Sequence, residues 1–299
     1  MIDPPEDTWM RCDCATHQDL PVTDHCYDST QLNDFRRCPE FYNNRHIKGL
    51  VLDGGNKHSN PLAAGSAIHK GVEAWFSTGD SEKAINAVKA TWGEDDLFLP
   101  EKVKYTQGFL AAIMAGYTEA WPRENDSFKV LVNEQWMPWG NYGGIIDRLV
   151  EFEDGVYVMD TKTTGGWVNE RYIESFQLSS QFRGYVWLAK RAGHDCQGAY
   201  LDAVHLDTRY HKVKASDFVR EKILFSEEQI EAWVQDRDST MLRANYMRSS
   251  VTLERWPQND QRCFDWNRPC PYWRLCTAVI PENEMDYYKE ERWEPWTRK

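Results

Sequence analysis

The chain has 299 residues, 41% of them hydrophobic, a mean hydropathy of −0.70 and a formal net charge of −12. It is long enough to bury a sizeable core, and no apolar run reaches the length of a membrane span. The charge disfavours a polyanionic partner without excluding one: residues 1–34 hold eight Asp/Glu against Arg11 alone, while residues 36–48 carry Arg36, Arg37, Arg45 and Lys48 against Glu40.

Residues 1–28 read as irregular, with prolines, acids and scattered Cys and His. A helix is predicted from Ser29, with Ser29 or Thr30 as N-cap and Leu32, Phe35 and Phe41 at apolar positions. A Gly- and Asn-rich loop at 53–60 leads to a second helix at 61–76, and further helices fit 80–92 and 101–120. Strands fit 128–138, 142–152 and 156–162. A helix at 174–192, a strand at 197–206, a helix at 226–244 and a loop-rich cysteine segment follow. Residues 281–299 read as a charged, Trp-bearing tail or surface strap. This order predicts an α/β domain with helices packed on a mixed sheet. It divides the chain into an acidic N-terminal segment with the first helix (1–60), a core (61–250) and a C-terminal cysteine segment with its tail (251–299). The opening Met1-Ile2-Asp3-Pro4-Pro5-Glu6 lacks the basic and apolar parts of a secretory leader, so a cytoplasmic protein with no membrane association is expected.

The chemistry concentrates in a hairpin. Gly143-Gly144-Ile145-Ile146-Asp147-Arg148 and Val156-Tyr157-Val158-Met159-Asp160-Thr161-Lys162 flank the turn dipeptide Asp154-Gly155. Asp160 and Lys162, two apart on a strand, share a face. Two carboxylates and an ammonium on one surface suit a site that holds Mg²⁺ or Mn²⁺ and orients a water, because hard cations take oxygen ligands and activate water against a phosphodiester. Glu134, on the preceding strand, could add a third carboxylate, and Lys162 can hold or help deprotonate the attacking water. Alone, such an Asp-x-Lys is more often an exposed ion pair on a solvated strand.

Context changes that balance. Upstream, His69 opens towards the same site from a helix, with Glu73 one turn on. Downstream, Gln181 and Tyr185 lie at i and i+4 of a helix, with Gln177 one turn earlier. In order, the chain has G-x-x-x-H (Gly65 to His69), G-x-x-D-R (Gly144 to Arg148), D-x-K (Asp160 to Lys162) and Q-x-x-x-Y (Gln181 to Tyr185). This series resembles the RecB-like exonuclease branch of the PD-(D/E)XK nuclease superfamily. The resemblance implies a restriction-endonuclease-like core with a helical insertion. It implies His69, Asp147 and Asp160 as metal ligands together with the main-chain carbonyl of Thr161, Lys162 as the catalytic lysine, and Gln181 and Tyr185 against DNA or in support of the site. Many members carry Glu where this chain has Asp160.

Eight cysteines in a reducing compartment point to metal or cluster ligands more than disulfides. Cys263, Cys270 and Cys276 form C-x6-C-x5-C, with proline on both sides of Cys270, and Cys38 is the best candidate for a fourth ligand. Four thiolates suit either a [4Fe-4S] cluster or structural Zn²⁺. One cysteine before the core and three after it resembles the iron–sulfur staple of RecB-like nucleases, among them AddB-type helicase-nucleases and CRISPR-associated adaptation nucleases. That resemblance favours the cluster in a structural role. Cys12, Cys14 and Cys26, with His17 and His25, could form a second small metal site, although acidic tails often carry such residues without metal; Cys196 reads as a buried thiol.

Of the fourteen tryptophans, Trp187 reads as core. Trp167, after Gly165-Gly166, is the better candidate to stack on unpaired bases. Arg209, Lys212, Lys214, Arg220 and Lys222 could line a phosphate track or simply a solvated loop. The resulting expectation is a metal-dependent deoxyribonuclease acting on ends or single strands of DNA, with a recombination or repair protein as a possible partner. A junction- or flap-cutting endonuclease and a non-catalytic cluster-bearing DNA-binding subunit are its rivals.

Overall fold

The computed structural model describes residues 25–53, 60–95, 104–207, 213–250, 255–265 and 268–294. In chain order these form α1 (Ser29–Arg37), α2 (Pro39–Tyr42) with a π-helical turn at Asn43–Ile47, β1 (Leu50–Leu52), α3 (Pro61–Thr78), α4 (Ser81–Trp92) and α5 (Gln107–Ala120). Then come β2 (Phe128–Trp139), β3 (Tyr142–Phe152), β4 (Gly155–Thr164), α6 (Glu170–Glu174), α7 (Ser180–Arg191), β5 (Cys196–His205), β6 (Phe218–Leu224) and α8 (Glu227–Ser250). Short elements complete the order: β7 (Phe264–Asp265), β8 (Arg268–Pro269), α9 (Trp273–Thr277) and β9 (Tyr288–Glu290). Packing divides the residues into two units, one of Met1–Gly54, Trp136–Gly144 and Glu227–Lys299, the other of Gly55–Gln135 and Ile145–Ser226.

The second unit is built on a mixed sheet of order β2-β3-β4-β5-β6, flanked by helices as the element order predicts. Strands β3 and β4 are antiparallel, β4 and β5 parallel, and β5 and β6 antiparallel. Phe152 pairs with Gly155, so the hairpin turns on Glu153 and Asp154, and Gly155 itself takes the left-handed φ of 141° that favours glycine. A parallel pair needs a crossover, and α6 and α7 supply it, with α7 packed on both β4 and β5. The helices begin where side chains cap them: Asn60 accepts from Leu62 and Ala63 N–H, Asp80 from Glu82 and Lys83, and Thr106 from Phe109. Their apolar faces, including Ile68, Val72, Val88, Leu110 and Met114, close over Val150, Tyr157, Met159 and Val204 of the sheet.

Three local features depart from the sequence expectations. The helix expected at 174–192 is two helices, because the Ser179 side chain accepts the Phe182 N–H and starts α7 afresh; Gln177 therefore sits in the connecting turn. Arg220 and Lys222, expected on a phosphate track or solvated loop, instead lie in the edge strand β6, where half-buried Arg220 pairs with Asp202 and Lys222 with Asp154. The helix expected to end at 244 runs on to Ser250.

In the other unit, Asp28 caps α1 by accepting the Gln31 N–H, and Leu32 and Phe35 are buried. Strand β9 pairs antiparallel with β1, Leu50 opposite Glu290, and Tyr272, Leu275 and Tyr288 pack on Leu50. Glu40, 3% exposed, accepts from the Trp256 N–H at 2.6 Å and from the amides of Asn43 and Asn44 at 3.1 and 3.2 Å. Three donors satisfy this buried carboxylate without a cation.

Close packing in the helical layer is testable at Gly71, where a Cβ would meet Val88 Cγ2 and lie 2.6 Å from Met114 Sδ. Gly71→Ala gains about 1 kcal/mol of helix propensity but overpacks a core at about 1–3 kcal/mol. The expected outcome is a net loss, read as a lower urea midpoint at unchanged m-value.

Candidate functional site

Gly65 lets the first turns of α3 approach β4, since a Cβ there would lie 2.9 Å from Thr163 Oγ1. One turn later His69 points its Nδ1 at Asp147 Oδ2, 3.3 Å away, and the same oxygen accepts the Thr161 N–H at 2.9 Å. Asp147 on β3 is thus oriented from a helix and from the neighbouring strand. Glu134 reaches the group from β2. It is the one non-glycine residue among those described with positive φ, 48°, so the strand kinks there and redirects the carboxylate. Asn133 pins that kink by donating to Glu73 O at 3.1 Å and Ser77 Oγ at 2.7 Å on α3. Ligand atoms of His69, Glu134 and Asp147 lie within 4.8 Å of one another.

Asp160 and Lys162 project from β4 on the same face as Asp147. Asp160 is 1% exposed, and the Lys162 ammonium contacts its Oδ2. Both carboxylate oxygens are otherwise without a hydrogen-bond donor. Asp160 is not part of the tight trio; it stands beside it, held by Lys162. Gln181 Nε2 donates to Tyr185 OH at 2.8 Å along α7, and the Phe182 ring between them lies 5.8 Å from Lys162 Nζ. Trp167, 62% exposed, has its ring 5.6 Å from that of His205.

The electrostatics follow from crowding acids out of water. Burial pushes the Asp147 carboxyl up, but His69, Arg148 and Lys162 outweigh it and hold the group well below the usual carboxylate range. Burial disfavours the His69 imidazolium, yet the Asp147 carboxylate overcomes this and raises its pKa. Burial, then the charges of Asp147 and Glu73, push Glu134 up to about 7. Burial also raises Asp160, with Asp147 adding and Lys162 opposing, to about 6. Glu134 and Asp160, raised towards neutrality beside the ionised Asp147, form a site that can exchange protons for a divalent ion. Asp160 Oδ1, without a donor among the described residues, and the mixed imidazole–carboxylate set fit Mg²⁺ or Mn²⁺.

Arg148, Asp202, Arg220 and Tyr117 form a charged group beneath this site that the sequence pattern does not reveal. Only the arginine of G-x-x-D-R marks it, and no spacing rule pairs that arginine with a strand more than fifty residues on. Arg220, expected on a phosphate track, is instead turned inward onto Asp202. Arg209 and Lys212 lie outside the described residues.

In the other unit, Cys38, Cys263, Cys270 and Cys276 line one cavity with Arg37 and Asn259. None is in a disulfide. Cys38 stands between α1 and α2, where its Sγ accepts the Asn259 N–H at 3.4 Å, and the Cys270 N–H donates to Cys263 O at 2.7 Å. Burial, with Glu40 and the other thiols adding, pushes Cys276 up to about 12. Cys12, Cys14 and His17 lie outside the described residues. Of their suggested partners, His25 bonds Gln31 Oε1 at 2.8 Å, and burial pushes the Cys26 thiol up to about 12. Cys196 is fully buried.

Comparison with known proteins supplies the family. No curated protein is significantly similar to the chain. A crystal structure from Eubacterium rectale, provisionally named an exonuclease, aligns over 91% of this chain and 100% of its own at 14% identity and a TM-score of 0.47. The profile of the PD-(D/E)XK nuclease superfamily matches residues 29–277, which takes in both the hairpin carboxylates and the cysteine cavity. The chain belongs to the PD-(D/E)XK nuclease superfamily.

Proposed function

We propose that this nuclease is a divalent-metal-dependent deoxyribonuclease that degrades DNA from ends or along single strands. The observation that carries the reading is the convergence of half-buried His69 and Glu134 on buried Asp147, with the Asp160–Lys162 pair on the adjoining strand. His69, Asp147 and Asp160 would hold Mg²⁺ or Mn²⁺ with the Thr161 carbonyl, and Glu134 would serve the same or a second ion. When bound, the ion supplies an activated water and positive charge for the phosphoryl oxygens. Lys162, 23% exposed at its side chain and in contact with Asp160, would orient that water and take up or return a proton. Half-buried Gln181, braced by its hydrogen bond to the buried Tyr185 phenol, would present its amide to the strand, and Trp167 offers an exposed ring to an unpaired base. By the resemblance, in-line attack leaves a 5′-phosphate and a 3′-hydroxyl.

Four cysteines lining one cavity could hold either a [4Fe-4S] cluster or structural Zn²⁺. The resemblance to iron–sulfur-stapled nucleases favours the cluster. Burial, with neighbouring thiols adding, raises Cys263, Cys270 and Cys276, and coordination to a metal or cluster would hold them as thiolates.

Three outcomes are expected. On end-labelled DNA with Mn²⁺, Asp160→Ala and Lys162→Ala should each lower kcat by at least about 10²–10⁴-fold with the circular dichroism melt retained; cleavage at the wild-type rate in both would refute the assignment, and digestion of closed single-stranded circles would mark an endonuclease instead. Metal uptake should release protons. Glu134 and Asp160 are protonated below about 7 and about 6, and only their ionised forms bind a cation. Mn²⁺ affinity should therefore climb from pH 5.5 to 7.5, and titration calorimetry near pH 6.5 should give buffer-dependent heats that shrink in Glu134→Gln. Protein purified without oxygen should carry iron and inorganic sulfide in equal amounts, and Cys38→Ala should lose both and melt earlier; a colourless, zinc-loaded sample would reverse the cluster assignment.

A further inference from the structure

Strand alternation sends Arg148 and Thr161 to the face opposite Asp147, Asp160 and Lys162. On that face lies a ribbon of buried charge. Arg148 is 2% exposed, Thr161 and Asp202 are fully buried, and none of the three can touch substrate. Arg148 Nη2 donates to Thr161 Oγ1 at 2.5 Å and to Asp202 Oδ2 at 3.0 Å. Thr161 Oγ1 donates to the same Asp202 oxygen at 3.2 Å, and Tyr117 OH reaches it from α5 at 2.5 Å. Arg220 Nε donates to Asp202 Oδ1 at 3.1 Å, and its Nη2 to Tyr117 OH at 3.1 Å. Thr161 sits opposite Asp202 in the parallel register, and Asp202 opposite Arg220 in the antiparallel one. Four neighbouring strands, β3 to β6, are therefore tied at one level, directly behind the reactive side chains.

The ribbon is buried at Arg148, Thr161, Asp202 and Tyr117, half-buried at Arg220, and flanked by rings. The Arg148 guanidinium lies 4.5 Å from the Phe76 ring centroid and that of Arg220 4.2 Å from Trp121. Two arginines share one carboxylate, and beyond them Arg220 faces Asp126 at 3.8 Å, so the charges alternate. Paired charges in a dry setting hold one geometry, because any displacement leaves an uncompensated ion. Thr161 is where this stiffness meets the chemistry: its neighbours are Asp160 and Lys162, and its N–H holds Asp147.

We propose that Arg148, Asp202, Arg220 and Tyr117 are positioning residues that act through the Thr161 hydroxyl to set the placement of Asp160, Lys162 and Asp147. This rests on the metal-nuclease reading of that site. Asp202→Asn strands two arginines and risks the fold, so the decisive variant is Thr161→Val. It keeps the side-chain volume and leaves Arg148, Asp202, Arg220 and Tyr117 to pair among themselves.

The expected result has three parts. The melting temperature stays near wild type while residue-resolved amide exchange quickens at 160–162 and not at 156–159. Mn²⁺ affinity and kcat fall by about 10- to 100-fold with KM for DNA unchanged. Thr161→Ser restores both. Wild-type exchange at 160–162 in Thr161→Val, or a serine variant as deficient as the valine one, overturns the proposal. If exchange responds and serine rescues it while no form of the protein binds Mn²⁺ or cuts DNA, the positioning role stands and the nuclease reading falls.

Discussion

Carboxylates drawn together and partly withdrawn from water repel one another, and buried Asp147 and Asp160 with half-buried Glu134 do not escape that. The fold answers with three cations of different reach. His69 touches Asp147 directly, Lys162 touches Asp160, and Arg148 acts on Asp147 from behind the sheet. The result is uneven. Asp147 is secured as a carboxylate, whereas Glu134 and Asp160 are left close to the point where a proton is easily given up. An unevenly neutralised group of this kind is a receptor for a further positive charge, and the metal chemistry of the superfamily follows from it.

Two backbone features make the recess possible. Gly65 removes the Cβ that would hold α3 away from Thr163, and Glu134 accepts a left-handed conformation that costs a non-glycine residue about 1–3 kcal/mol. Such strain persists only where neighbours over-determine it, and the Asn133 contacts to Glu73 and Ser77 do that. The site is thus assembled against local preference at Gly65 on α3 and at Glu134 on β2. The strands that carry Asp147 and Asp160 obey ordinary alternation and need no such distortion.

Much of this was legible in the residues themselves. Period-2 alternation located β2, β3 and β4 almost to the residue, and capping residues located the helices on either side. His69, Asp147, Asp160 and Lys162 could be nominated because ordered motifs constrain both residue type and spacing. What escaped was whatever depends on residues distant in sequence. Arg220 looked like a surface cation because arginine is seldom buried, and only the carboxylate of Asp202 on the adjacent strand makes its burial tolerable. The break between α6 and α7 escaped for a local reason: Ser179 competes with the helix for its own backbone donors. The kink at Glu134 had no signal at all, since glutamate does not advertise a positive φ.

The pairing of β1 with β9 has a temporal consequence. As the chain leaves the ribosome, every residue of the sheet-bearing unit has emerged by Ser226, so that half can condense while translation continues. The other half cannot. Leu50–Leu52 must wait with an open hydrogen-bonding edge until Tyr288–Glu290 arrive, and Glu40 must wait for the Trp256 amide. Nascent chains stalled in that interval would expose an unpaired strand and an acid lacking one of its three donors.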